Sequence, residues 1–267
     1  KITVANQCDI EIPFDFAGAR PSPRAVVGPL FSMACRPLDA LAVSASAARR
    51  SRFATLKERF STGVETRLTN PDLAPESAWH FGLEGRWQVL PQWQIEGAIY
   101  DAEVEDLIER VPVGGGVEQM RNIASARHLG TEWSTQVRPC TSLTIDAAYA
   151  YLNARRTDNN IPLASRPAHK IAVAVEATPL EWLSLSAAFR WIGQQRYQDP
   201  DTRLWGHMGA YGELDARIDI RPAPGASIWL RATNLLDANH PSEYGFPDPG
   251  RAIVAGIRLA VDPPRSE

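Results

Sequence analysis

Along residues 211–221 the odd positions are Tyr211, Glu213, Asp215, Arg217, Asp219 and Arg221, and the even positions are Gly212, Leu214, Ala216, Ile218 and Ile220. After a Pro/Gly turn the pattern resumes, with Ile228, Leu230 and Ala232 set against Ser227, Arg231 and Thr233. The same alternation returns at Trp79, Phe81 and Leu83, at Leu143 to Tyr151, at Ile171 to Val175, at Leu183 to Trp191 and at Ile253 to Val261. A period of two puts alternate side chains on opposite faces of a strand, whereas a helix would scatter these residues around its axis. The pattern predicts about eleven strands, near 24–34, 39–49, 78–89, 92–107, 118–138, 141–154, 168–178, 182–194, 210–222, 226–237 and 251–261. One face is apolar and the other densely charged. In a transmembrane barrel the apolar face meets lipid, where a basic side chain at the midplane costs about 2–4 kcal/mol, and the charged face meets the lumen. Closure satisfies every backbone group, which an open sheet in lipid cannot do.

The connections fall into two alternating classes. Short ones are "CRPLD" (35–39), "LPQ" (90–92), "RPCT" (138–141), "TPLE" (178–181) and "PAPG" (222–225), and long ones cover about 50–77, 108–117, 155–167, 195–209 and 238–250. Outer-membrane barrels keep this asymmetry, with short periplasmic turns and long extracellular loops. Trp87, Trp93, Trp133, Trp182, Trp191 and Trp229 lie mostly towards strand ends, where an aromatic girdle meets the membrane interface. The expected fold is all-β, built of antiparallel transmembrane β-barrel strands.

Composition narrows the function classes. The chain has 267 residues and a net charge of -3, without the basic footprint of a nucleic-acid binder. No run approaches the length of a membrane helix and no signal peptide is visible. The first residue is Lys1 rather than Met, which places the expected start of the protein upstream. Cys8, Cys35 and Cys140 are odd in number and lack metal-ligand spacing, so unpaired structural thiols are expected.

Several short elements resemble those of TonB-dependent outer-membrane receptors. "NPDLAPE" (70–76) resembles the NPxLxPE element, and "SPRAVV" (22–27) and "RFATLKERF" (52–60) resemble stretches that precede it. "RNIASARHLGTEW" (121–133) resembles the strand carrying a spaced Asn, Gly and Glu, "RPAHK" (166–170) the rPxH element, and "TNLLDANH" (233–240) the NLfD element. "GFPDPGRAIVAGIRLAV" (245–261) resembles the closing strand. They run in family order over about residues 20–261, with the vitamin B12 and catecholate-siderophore receptors as the nearest members. The resemblance implies a Gram-negative outer-membrane importer of iron-siderophore complexes or cobalamin-like ligands, with no enzymatic activity and no cofactor. Its energy would come from TonB–ExbB–ExbD, acting through a plug. Family members have an N-terminal plug and a 22-stranded barrel. Residues 1–267 read instead as the C-terminal part of such a barrel, about half its strands, with the plug absent and with "VDPPRSE" after the last strand.

No GxSxG, HExxH, CxxC or P-loop motif occurs, and "VGGGVEQM" (113–120) lacks the Lys-Ser/Thr that grips phosphate. In the loop "QQRYQDPDTRLWGHMGAY" (194–211), Tyr197, Arg203, Trp205 and His207 are the candidate ligand residues. Their aromatic planes and cationic donors suit a flat anionic chelate. Asp199 and Asp201 are candidate calcium ligands. Competing readings are a passive porin or adhesin barrel, an outer-membrane hydrolase, for which no constellation stands out, and a soluble all-β binding module.

Overall fold

The computed structural model describes residues 2–11, 24–62, 67–199, 202 and 204–260. In chain order the elements are β1 (Ile2–Glu11), β2 (Arg24–Leu38), β3 (Leu41–Arg52), α1 (Leu56–Phe60), β4 (Arg67–Leu68), β5 (Glu76–Leu90), β6 (Trp93–Gly114), β7 (Val117–Cys140), β8 (Leu143–Arg156), β9 (His169–Leu180), β10 (Leu183–Ile192), β11 (Gln195–Gln198), β12 (Trp205–Met208), β13 (Tyr211–Ala223), β14 (Ala226–Thr233), β15 (Pro241–Glu243), β16 (Phe246–Pro247) and β17 (Ala252–Leu259). The main strands lie in the order β1-β2-β3-β5-β6-β7-β8-β9-β10-β13-β14-β17, with β4 added in parallel to β7. Each expected strand has its counterpart here, and sequence neighbours pair antiparallel, as in β8 with β9 and β13 with β14.

The differences from expectation lie in the connections. The stretch 108–117 is no long loop, because β6 and β7 run on to a turn at Gly115 and Gly116. Gly114, Gly115 and Gly116 all have positive φ, of 101°, 62° and 76°, which only glycine adopts readily. The glycine-rich segment is therefore a hairpin turn. Three of the other long connections carry elements of their own: α1 and β4 after β3, the hairpin β11–β12, and the hairpin β15–β16, while the connection between β8 and β9 carries an isolated bridge of Arg155 with Pro162. β1 is a further strand, paired to β2 from Ile2↔Met33 to Glu11↔Arg24.

The chain divides into two compact units. The first comprises Lys1–Gly85, Ala98–Thr131 and Asn153–Leu163. Its small apolar cluster joins Leu73, which is fully buried, to Ala54, Ile108 and Met120. Polar bonds around that cluster explain why "NPDLAPE" and "RNIASARHLGTEW" occur together. Asn70 Nδ2 donates to the Met120 carbonyl at 2.8 Å. Asn122 accepts from the Ala74 amide at 2.8 Å and donates to the carbonyls of Ala74 (3.0 Å) and Asp106 (2.7 Å). Glu76 receives the Ile108 amide at 2.7 Å and Arg52 at 2.7 Å. Arg52 also holds Glu58, which closes a capping box with Thr55 at the start of α1. Asp106 has φ 56°, and around it in β6 the Asp106 carbonyl and the Ile108 amide are taken up by the side chains of Asn122 and Glu76.

The second unit comprises Arg86–Gly97, Glu132–Leu152 and Ala164–Glu267. Its register carries the two-faced pattern across strands: Leu185 pairs with Ile218, Ile218 with Leu230, and Ile220 with Ile228. Ile218, Ile220, Ile228 and Leu230 are all exposed, an apolar sheet face of the kind that soluble monomers keep small. On the other parity Arg217 forks onto Asp219 with two bonds of 2.6 Å. A Cβ on Gly97 would lie 2.5 Å from the Trp133 ring, and one on Gly256 would lie 2.4 Å from the Trp229 ring. These glycines give the two tryptophan rings a flat seat. Cys35 and Cys140 are free and exposed, and the Cys8 side chain lies outside the described residues.

Candidate functional site

The hairpin β11–β12 presents most of the predicted ligand residues. Its register pairs Arg196 with His207, Tyr197 with Gly206 and Gln198 with Trp205. Directly opposed residues share a face and neighbours alternate. Trp205 and His207 therefore share one face with Arg196, whose guanidinium lies 4.6 Å above the Trp205 ring. Tyr197 points to the other face. The structure thus brings together two of the four predicted residues, adds Arg196 to them, and separates Tyr197. Arg203 and Asp201 lie outside the described residues.

Tyr197 instead builds a second aromatic contact. A Cβ at Gly206 would stand 2.5 Å from its ring, so the missing side chain leaves room for it. Tyr244, in the turn between β15 and β16, stacks on Tyr197 with centroids 3.9 Å apart and planes 12° apart. The Tyr244 hydroxyl donates to Asp199 Oδ2 at 3.0 Å, and that bond to a carboxylate pushes the phenol up to about 12. Asp199 Oδ1 accepts the Thr202 amide at 2.9 Å. Asp199 thus ties two loops together, and no three His, Cys, Asp or Glu side chains converge as metal donors among the described residues. Gln195 and Met208, buried and paired across the hairpin, anchor its base.

Beside these hairpins lies a cavity of about 450 Å³, walled by Arg190, Tyr211 and Glu213 from the sheet and by His240, Ser242 and Asp248 from the long connection after β14. Arg190 forms an ion pair with Glu213. His240 Nε2 is 3.0 Å from Glu213 Oε1, and the imidazole lies flat on Tyr211 at 3.6 Å. Sequence reasoning missed this cluster. Arg190, Glu213 and His240 are far apart along the chain; the pairing of β10 with β13 joins the first two, and the connection after β14 folds His240 back onto them.

Two further sequence elements build the stem of the same connection. Asn234 has φ 48° and is almost fully buried. Its side chain bonds both the amide and the carbonyl of Ala238, and its own amide donates to Asp215. Asp237 Oδ1 receives the Arg251 amide at 3.0 Å, which joins "TNLLDANH" to "PDPGR". His169 of "RPAHK" bonds the Tyr149 hydroxyl at 2.9 Å and packs on Tyr151. Asn234 and Asp237 hold backbone in place, and His169 packs the strand side chains around it.

In the first unit a cavity of about 200 Å³ is lined by Lys57, Arg67, Arg110, Glu118 and Met120. Glu58 also lines it; burial raises its carboxyl, but its bonds from Arg52 and Thr55 outweigh this and hold it below the usual range.

Comparison with known proteins places this geometry. The family described as TonB dependent receptor-like, β-barrel, matches residues 14–235. Among solved structures, the chain is similar to the ferric-catecholate import receptor Fiu of E. coli K12, at 16% identity and TM-score 0.72, over 89% of this chain and 35% of that one. It is also similar to the FrpB iron transporter of Neisseria meningitidis, at 13% identity and TM-score 0.74, over 97% of this chain and 45% of that one. A third is the siderophore receptor PirA of Acinetobacter baumannii, at 13% identity and TM-score 0.74, over 88% of this chain and 41% of that one. The chain spans less than half the length of these structures.

Proposed function

Because this chain belongs to the TonB-dependent receptor β-barrel family, whose members are non-enzymatic transporters of the Gram-negative outer membrane, we propose that it forms the C-terminal wall and ligand-binding loops of an active importer. The cargo in this reading is an iron-siderophore complex or a cobalamin-like molecule. The plug would come from outside the chain and would connect it to TonB–ExbB–ExbD. The structural neighbours Fiu, FrpB and PirA carry names that specify ferric-catecholate, iron and siderophore, which supports the iron class.

The observation that carries the proposal is the built architecture of the long connections. A pore open to diffusion needs only a wide lumen, whereas here β11–β12 and β15–β16 fold and lock through the Tyr197–Tyr244 stack. The Arg196–Trp205 pair, with His207 beside it, offers the cation and the ring face that a flat anionic chelate requires. In this proposal Arg203 adds a second cation and Tyr197 supports the hairpin from behind.

The test is accumulation of a labelled ferric siderophore, and in parallel of cobalamin, by cells expressing the intact parent protein with and without TonB. Uptake that needs TonB and falls in Trp205→Ala and Arg196→Ala supports the reading. Equal uptake without TonB assigns the chain to the passive porin class instead.

A further inference from the structure

The smaller cavity lies wholly within the first unit, between α1, β4 and the ends of β6 and β7 that meet at the glycine turn. Its walls are fixed by backbone bonds. Arg67 pairs with Glu118 where β4 runs parallel to β7, and the Arg67 amide donates to the Thr62 carbonyl at 3.0 Å. The Ser61 amide donates to the Lys57 carbonyl at 3.1 Å. Gln119 Nε2 donates to the Thr69 carbonyl at 2.9 Å, which fastens β4 to β7.

The charged side chains lining it are Lys57, Arg67 and Arg110 against Glu58 and Glu118. Arg110 faces Glu118 at 3.4 Å, and Arg52, from outside the cavity, holds Glu58 at 2.9 Å. Lys57 and Arg67 have no carboxylate partner among the described residues. Two unbalanced cations in one concave site attract an anion, because low-dielectric walls focus their field. A phosphate group carries about -1.5 to -2 charges near pH 7 and three strong acceptor oxygens. It can therefore balance both cations, with the Arg67 fork, the Lys57 ammonium and the Ser61 hydroxyl as donors. The volume, about 200 Å³, is below the roughly 300–1,000 Å³ of pockets for drug-sized ligands, so a small oxyanion fits where a bulky chelate does not.

We propose that this cavity binds the phosphate group of a small water-soluble molecule. The run of β7 from Thr131 to Glu118 lies inside the first unit. At about 3.3 Å per residue and a tilt of about 40° it climbs roughly 30 Å, more than the apolar band of about 25 Å. The cavity thus stands beyond the lipid, on the side of the long connections, and takes its phosphate from solution. The site is independent of the proposed cargo: the β11–β12 hairpin belongs to the second unit, so failure of TonB-dependent uptake leaves this inference standing.

The experiment is isothermal titration calorimetry of the intact parent protein in detergent micelles. The probes are inorganic phosphate, glycerol phosphate, and phosphatidic acid mixed into the micelles. Saturable binding of the two soluble probes is expected. Lys57→Gln and Arg67→Gln, with near-ultraviolet spectra like the parent's, should each weaken it at least about tenfold, the low end for a hydrogen bond to a charged group. Arg127→Gln, on the same strand but paired with Asp101 outside the cavity, should bind as the parent does. No saturable binding, undiminished binding in Lys57→Gln and Arg67→Gln, or an equal loss in Arg127→Gln overturns the proposal. Binding of phosphatidic acid alone overturns the soluble source.

Discussion

Replacing Asn122 with alanine removes three bonds at once, and the structure fixes where the damage should appear. The amide side chain of Asn122 closes a two-way pair with the Ala74 backbone and takes the carbonyl of Asp106, the residue of β6 with positive φ. Asn122 is half-buried, so water can replace part of what is lost. A net loss of about 1–3 kcal/mol is therefore expected, the range for leaving buried polar groups unpaired. The loss is local: it falls on the 70–76 segment that Leu73 pins into the small cluster with Ala54 and Ile108. At about 1.4 kcal/mol per factor of ten, exchange of the Ala74 amide should accelerate by one to two powers of ten. The β13–β14 ladder should be unaffected. Asn122→Asp should be worse than alanine, because it keeps the acceptor but turns a carboxylate towards two carbonyl oxygens. Unchanged Ala74 exchange in the alanine variant, or equal acceleration throughout the sheet, refutes the argument.

Gly206→Ala places a methyl 2.5 Å from the Tyr197 ring and should part the Tyr197–Tyr244 stack at about 1–3 kcal/mol; near-ultraviolet dichroism reads it, and an unaltered aromatic band argues against the close approach. The Glu58 carboxyl is held below its ordinary value of 4.5, so its contribution to the α1 cap is complete above that value and disappears as pH falls through the lower one. Amide exchange at Thr55, whose N–H reaches Glu58 at 2.7 Å, should follow that sign, and loss of protection already above pH 4.5 contradicts it. In lipid vesicles, a fluorophore at Ile218 should be quenched by nitroxide-bearing lipids and one at Arg217 should not, since the two lie on opposite faces; the reverse result removes the membrane orientation.

The strands and the connections between them were legible to different degrees. Alternation at Leu183–Trp191 or Tyr211–Arg221 fixes both the strand and its two faces, because the side-chain period is inherent in extended backbone. The segment 108–117 misled because Gly114 to Gly116 look like the middle of a loop, although two glycines suffice to turn a hairpin. β1 escaped because its alternation of Ile2 and Val4 lapses at Asn6 and Gln7, and the pairing with β2 that defines it is a tertiary fact. Short elements such as β11, β12, β15 and β16 are below the length at which periodicity carries a signal.

The sequence by itself determined an all-β chain with one apolar and one charged face, the short turns between paired strands, and the ordered motifs of the family. Each of these follows from neighbours along the chain. Only the tertiary structure decided that Tyr197 turns away from Trp205 and His207, that Asn122 clasps Ala74, and that Arg190, Glu213, His240 and Asp248 meet around one cavity. Those contacts depend on cross-strand register and on where a long connection folds back. Register is set by the pairing of whole strands, so no local pattern in the sequence records which distant residues it places side by side.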